Sequence, residues 1–153
     1  MNTCNVIKMI LLTAACLVLA GCGSTFIKKY PGKLLPISEV GTVTCESAIQ
    51  VTAIDGDRNY RLYSGGGLYY QDCTISLMPG QHSITYKYYM SSSVMTTQTN
   101  EVTHTVNIEK GKLYRIKYTS EGRRWRPWIE ELTGEELKKQ RENLLLRIKN
   151  KDA

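Results

Sequence analysis

From Val43 onward, apolar and polar residues alternate with a period of two, the pattern of strands with one buried face. Val43, Cys45, Ile49, Val51 and Ala53 share one parity. Ile54-Asp55-Gly56-Asp57 reads as a turn, and a second strand is predicted over Asn59 to Tyr63. Ser64-Gly65-Gly66-Gly67 is a loop. Cys73, Ile75 and Leu77 mark the next strand, which stops at Pro79-Gly80. His82, Ile84, Tyr86 and Tyr88 share a face of the following one, and Ser91 to Asn100 is a Ser/Thr-rich loop. Val102, His104, Val106 and Ile108 form an inward set. Glu109-Lys110-Gly111-Lys112 closes a hairpin, with Gly111 free to take positive φ. Tyr114, Ile116 and Tyr118 answer on the return strand, while Arg115 and Lys117 point outward. Trp125 to Leu132 adds an edge strand, since Pro127 argues against a central position.

After Leu132 the period changes. Thr133-Gly134-Glu135-Glu136 has the form of a capping box. Leu137, Leu144, Leu145 and Ile148 then fall on one helical face, interrupted by Arg141. Acids lead this segment and bases end it, as the helix dipole prefers. The chain is therefore expected to be mainly β. It reads as a small antiparallel β-sandwich of six to seven strands over 43–132, followed by one C-terminal amphipathic α-helix over 133–153.

The N-terminus follows neither pattern. Lys8 precedes an uncharged run from Met9 to Ala20, too short to span a bilayer, which needs about 20 residues. Leu19-Ala20-Gly21-Cys22 follows at once and resembles the lipobox of bacterial lipoproteins. Cys16 is the competing position, but Thr13-Ala14-Ala15 before it lacks the large apolar residue. The resemblance implies that 1–21 is a cleaved signal peptide, that Cys22 carries diacylglycerol on its sulfur, and that acyl chains anchor the protein. Gly23-Ser24, in place of an Asp after the lipidated Cys, implies the outer membrane, and the expected placement is lipid-anchored and facing the periplasm. Residues 22–42 then read as lipidated Cys and tether. The Lys28-Lys29 pair in it is either solvated or close to anionic headgroups.

This address changes how the composition reads. The chain has 153 residues, five cysteines and a net charge of +6. A basic chain raises the question of nucleic acid. Secretion and the wide spread of the positive residues remove that partner, and the signal peptide takes one Lys with it. Of the cysteines, Cys4 and Cys16 leave with the signal and Cys22 carries lipid. Cys45 and Cys73 both fall on inward parity. The oxidising periplasm implies a disulfide between them, although parity alone fits two separate buried thiols equally.

Candidate chemistry is sparse. Two His in the whole chain exclude a multi-His metal site. His104 reads as a packed core residue, His82 as one that packs or caps at the Pro-Gly turn, and no Gly-x-Ser-x-Gly is present. Asp55, Asp57 and Asn59 match the start of a calcium loop, but Tyr60 and Gly66 stand where Gly and Glu are needed. Gly65-Gly66-Gly67 lacks the Lys and Ser/Thr of a phosphate loop. No catalytic residue, metal or cofactor is expected. The densest candidate is Arg123-Arg124-Trp125-Arg126-Pro127-Trp128, because Trp and Arg are enriched at binding hot spots. Its alternative is cation–π stacking within the cluster.

Leu77-Met78-Pro79-Gly80-Gln81-His82 and Glu109-Lys110-Gly111-Lys112-Leu113-Tyr114 carry a second resemblance. They are similar to turn signals in PEGA-like and other transthyretin-like β-sandwich modules of small bacterial lipoproteins. The likeness runs from about Ala48 to Thr119, without the Gly-x-x-Pro that follows the first Asp-Gly turn in that pattern. It implies a non-enzymatic binding or scaffolding module of an envelope assembly, with a protein or cell-wall partner. A different class, an inhibitor or immunity-type lipoprotein against an envelope-active enzyme, also fits a small disulfide-bonded β domain. Its basic charge disfavours a basic lysozyme as target.

Overall fold

A computed structural model describes residues 26–59, 62–63, 73–91, 95–121 and 124–151. Residues 1–21, expected to be a signal peptide, as well as Cys22 and Arg123, lie outside the described residues. Among the described residues, ten strands and one helix follow in chain order: β1 (Phe26–Lys28), β2 (Gly41–Cys45), β3 (Ile49–Ile54), β4 (Leu62–Tyr63), β5 (Thr74–Leu77), β6 (Gly80–Ser91), β7 (Thr96–Gln98), β8 (Val102–Ile108), β9 (Leu113–Glu121), β10 (Arg124–Glu131) and α1 (Gly134–Lys151).

The strands form two facing sheets. The first has the order β1-β5-β2-β9-β10. The second runs β4-β3-β6, with β8 and β7 both pairing β6. The expected inward residues meet between them: Val43, Cys45, Ile49, Val51, Ile75, Leu77, Ile84, Tyr86, Ile108, Tyr114 and Ile116 form one buried cluster. The sandwich followed by a C-terminal helix is thus as the alternation predicts.

Several details differ. The run from Val43 to Ala53 is not one strand. Ala48 takes a left-handed φ of 67° and turns the chain, so β2 and β3 enter opposite sheets. The first sheet is mixed, because β1 runs parallel to β5 and β2 parallel to β9. Alternation reports which face is buried but not which strand is the neighbour, so the direction of pairing is invisible to it. Part of the Ser/Thr-rich segment forms β7, which pairs with the end of β6. Finally, much of the expected tether is part of the domain. Phe26 to Lys28 extends the first sheet, Tyr30 and Val40 are buried, and Lys29 Nζ pairs with Asp57 Oδ2 at 2.6 Å.

The middle of the first sheet, β5 and β2, is covered on both sides, as sheets with parallel pairs generally are, while the outer face of β10 is open. The outward Thr42, Thr44, Thr74 and Ser76 are buried. The Tyr30 hydroxyl reaches Ser76 Oγ at 3.3 Å. Helix α1 lies over the β9 end of the same face, where Leu144 packs with Leu113 and Leu132. Leu145, expected on this stripe, is exposed with Leu146, while Arg141 Nη2 donates to the Gly111 carbonyl at 3.0 Å. Gly41 opens β2 on the core side, close against Ile108 at the end of β8. A Cβ there would collide with the Ile108 side chain and lie 2.9 Å from the Glu109 carbonyl oxygen. Gly111 has the expected positive φ, 74°, but β8 and β9 belong to different sheets, so its turn carries the chain from one sheet to the other and is not the expected hairpin; alternation shows which face is buried, not which strand is the partner.

Cys45 and Cys73 are joined by a disulfide, with a Cα–Cα distance of 5.3 Å. They sit one step past the last paired residues of antiparallel β2 and β5, Thr44 and Thr74. The two-free-thiol alternative is therefore excluded.

Candidate functional site

β10 carries the Arg/Trp cluster, and its pleat divides it. Trp125 and Ile129 pack inward against the core. Arg124, Arg126 and Trp128 are exposed on the outer face. Trp125 meets the Tyr86 ring edge-on at 6.1 Å and 84°. The Tyr86 hydroxyl in turn bonds His104 Nδ1 at 2.7 Å, and the two rings stack at 5.6 Å. Burial pushes the Tyr86 hydroxyl well above its ordinary pKa. Trp125 is thus a structural plug where the two sheets come together, not a contact residue. His104 is half-buried on the inward parity expected of it.

Stacking within the cluster is not what holds the outer face. The described cation–π contact is elsewhere, Lys28 over Tyr30 at 5.4 Å. The outer face is instead held by charges that the helix supplies. Antiparallel register sets Trp128 opposite Lys117 and Glu130 opposite Arg115. Trp128 Nε1 donates to Glu130 Oε2 at 2.8 Å, and Lys117 Nζ pairs with Glu130 Oε1 at 2.5 Å. Lys117 also reaches Glu136 of α1 at 3.3 Å. Arg115 pairs with Glu136 as well, and its Nη2 donates to Gln140 Oε1 at 2.8 Å. The hydrogen bond to Glu130 raises the Lys117 ammonium, and the Lys117 ammonium lowers the Glu130 carboxyl. Glu136, the expected capping-box acid, thus serves the sheet.

Arg115, Lys117, Glu130 and Glu136 were not marked as a site by the sequence, because a helix and a strand far apart in the chain bring them together. Their mutual neutralisation leaves Arg124 and Arg126 as the uncompensated cations of this face. Neither forms an ion pair among the described residues.

The edge of β10 adds a second feature. Leu132 N–H donates to the Leu113 carbonyl, so residues of that parity turn their backbone groups toward β9. Trp125, Pro127, Ile129 and Glu131 turn theirs away. Pro127 therefore removes no ladder hydrogen bond. Among the described residues no strand pairs with this side of β10.

The acidic turn between β3 and β4 is built as a clamp. Asp55 and Gly56 both have positive φ, 52° and 76°, and Ile54 and Asp57 exchange backbone hydrogen bonds. Asp55 Oδ2 bonds His82 Nδ1 at 2.8 Å, and Oδ1 accepts from Ser83 N–H at 2.9 Å. His82 Nε2 donates to the Met78 carbonyl at 2.8 Å, the capping role expected of it. Asp57 is taken by Lys29 and by Asn59 N–H. The Asp55 and Asp57 oxygens that matched a calcium loop are thus occupied by protein donors.

Partial burial raises the Asp55 carboxyl, but the His82 and Ser83 hydrogen bonds and the charges of His82 and Lys29 outweigh it. The net effect holds the carboxyl below its ordinary value of 3.8. A lowered folded value stabilises above the unfolded pKa, and that stability is lost as pH falls through the folded one. Asp55→Asn is expected to cost up to about 1 kcal/mol near neutral pH, discounted because the side chain is partly exposed. The urea midpoints of variant and wild type should converge as acid protonates Asp55. An unchanged gap at acid pH would contradict this assignment.

Comparison with family models, with curated proteins and with solved structures finds no match to this chain.

Proposed function

We propose that this chain is a non-enzymatic, lipid-anchored binding or scaffolding module on the periplasmic face of the outer membrane. The lipobox at Cys22 supplies the anchor, and one protein of an envelope assembly is the partner. The observation that carries the binding surface is the state of β10. Among the described residues it is an edge strand with one side unpaired, and it exposes Arg126 and Trp128 on the face next to it. A partner strand can add to that edge through main-chain hydrogen bonds, while Arg126 and Trp128 provide specificity. The Lys117, Glu130 and Glu136 network fixes the Trp128 ring in advance, which lowers the entropic cost of binding.

A photo-crosslinking residue placed at Trp128 in cells tests this. A discrete adduct is expected that disappears with Arg126→Glu and is not formed from the same residue at Leu146 on the exposed side of α1. Identical adducts from both positions, or none from Trp128, would remove the reading. Palmitate labelling with a Cys22→Ala control tests the anchor separately.

A further inference from the structure

The point at which the chain enters the fold has a spatial consequence. Phe26 lies opposite Thr74, Thr74 opposite Thr44, and Thr44 opposite Arg115, so these four sit at one level of the first sheet. From Arg115, β9 runs on to Glu121 in the direction from which the chain enters. That is roughly 20 Å further at about 3.3 Å per residue. The second sheet projects the same way. Ile49 pairs with Tyr88, and β6 continues past it to Ser91 and the β7 hairpin. Tyr88 and Tyr118 meet edge-on at 5.3 Å, so the two hairpins stand side by side.

Cys22 precedes Phe26 by four residues, which span at most about 14 Å when fully extended. A lipid on Cys22 is therefore held no further out along this direction than the hairpins themselves. The headgroup layer between water and hydrocarbon is only roughly 5–8 Å thick on each side of a bilayer.

The surface of that end suits such a position. Met90 and Met95 are 41% and 64% exposed. The sequence from Tyr88 to Thr97 contains no charged residue. On the neighbouring hairpin, Arg124 lies opposite Glu121 next to the turn and forms no ion pair among the described residues. Apolar side chains flanked by a guanidinium are what an interface of acyl chains and phosphate oxygens accommodates.

We propose that the hairpin end of the sandwich, with Met90 and Met95 on one hairpin and Arg124 on the other, lies in the phospholipid headgroup layer. The domain then stands directly on the membrane, with the open edge of β10 facing sideways along it. This placement rests on the Cys22 anchor proposed above.

Two exposed methionines at opposite ends make the test. Met78, 42% exposed, follows β5 at the end remote from Phe26. Met95→Cys and Met78→Cys are each labelled with an environment-sensitive fluorophore. The host is the full lipidated protein in phosphatidylethanolamine and phosphatidylglycerol vesicles. Cys45 and Cys73 are disulfide-bonded and a lipidated Cys22 is blocked, so only the new thiol reacts. The Met95 label is expected to shift to the blue and to be quenched by lipids brominated near the headgroup, and the Met78 label to do neither. Arg124→Glu should reduce the quenching at Met95. Equal emission from the two labels on anchored protein overturns the placement and leaves the anchor standing. Absence of lipid on Cys22, read by mass in the same preparation, overturns the anchor and the placement with it.

Discussion

Reducing the Cys45–Cys73 bond is expected to lower the unfolding free energy by about 3–4 kcal/mol. The two cysteines are 28 positions apart, and the loop they close includes β3 and β4. Most of that effect lies in the unfolded chain, which regains the freedom that closing the loop had removed. The folded state offers little slack in return, since Cys73 is fully buried and Cys45 nearly so. Urea denaturation with and without reductant measures it. With a slope of about 1–3 kcal/mol per molar urea, the midpoint should fall by roughly 1–4 M. Replacing both residues by Ser should cost more than reduction, because two hydroxyls then replace sulfur among apolar neighbours. A midpoint that does not move on reduction would contradict the argument. Against a typical total of about 5–15 kcal/mol, the loss is a large share.

Ile116→Ala is the second large effect, expected at about 2–5 kcal/mol by the same denaturation measurement. Ile116 is fully buried in β9, opposite Cys45 of β2 on one side and Ile129 of β10 on the other. Truncation opens a cavity between strands that pairing holds at fixed separation, so the site has little means of collapsing. The exposed Leu145→Ala on α1 is the control and should change stability by less than about 0.5 kcal/mol. Because Ile116 and Cys45 are direct neighbours, combining Ile116→Ala with reduction should depart from additivity. Simple addition would show that the disulfide and the core act independently.

Faces were legible in the sequence and neighbours were not. Val43, Ile75, Ile84, Ile108 and Ile116 all point inward as alternation predicts. The turns at Asp55-Gly56 and Gly111 take the positive φ that their residues favour. The helix begins where Thr133-Gly134 announces it. What stayed hidden depends on contacts across the chain. Phe26–Lys28 is too short to show a period, and it becomes a strand only because β5 offers it an edge. Arg124 to Trp128 are adjacent in sequence but not in space, because the pleat of β10 sends alternate residues to opposite faces. Leu145 fits a helical stripe on paper, but the surface of β9 accepts Leu144 and leaves Leu145 outside.

The parallel pairing of β2 with β9 sets the order in which the fold can be completed. Thr44 Oγ1 donates to the carbonyl of Tyr114, 70 positions later. A strand in the middle of its sheet thus waits for a partner made much later, and most of the loop-closure entropy is lost before that contact forms. Folding should be slow for a domain of this size, and the N-terminal half alone cannot complete the first sheet. A chain that stays open until nearly all of it has arrived can be threaded through a membrane before it closes.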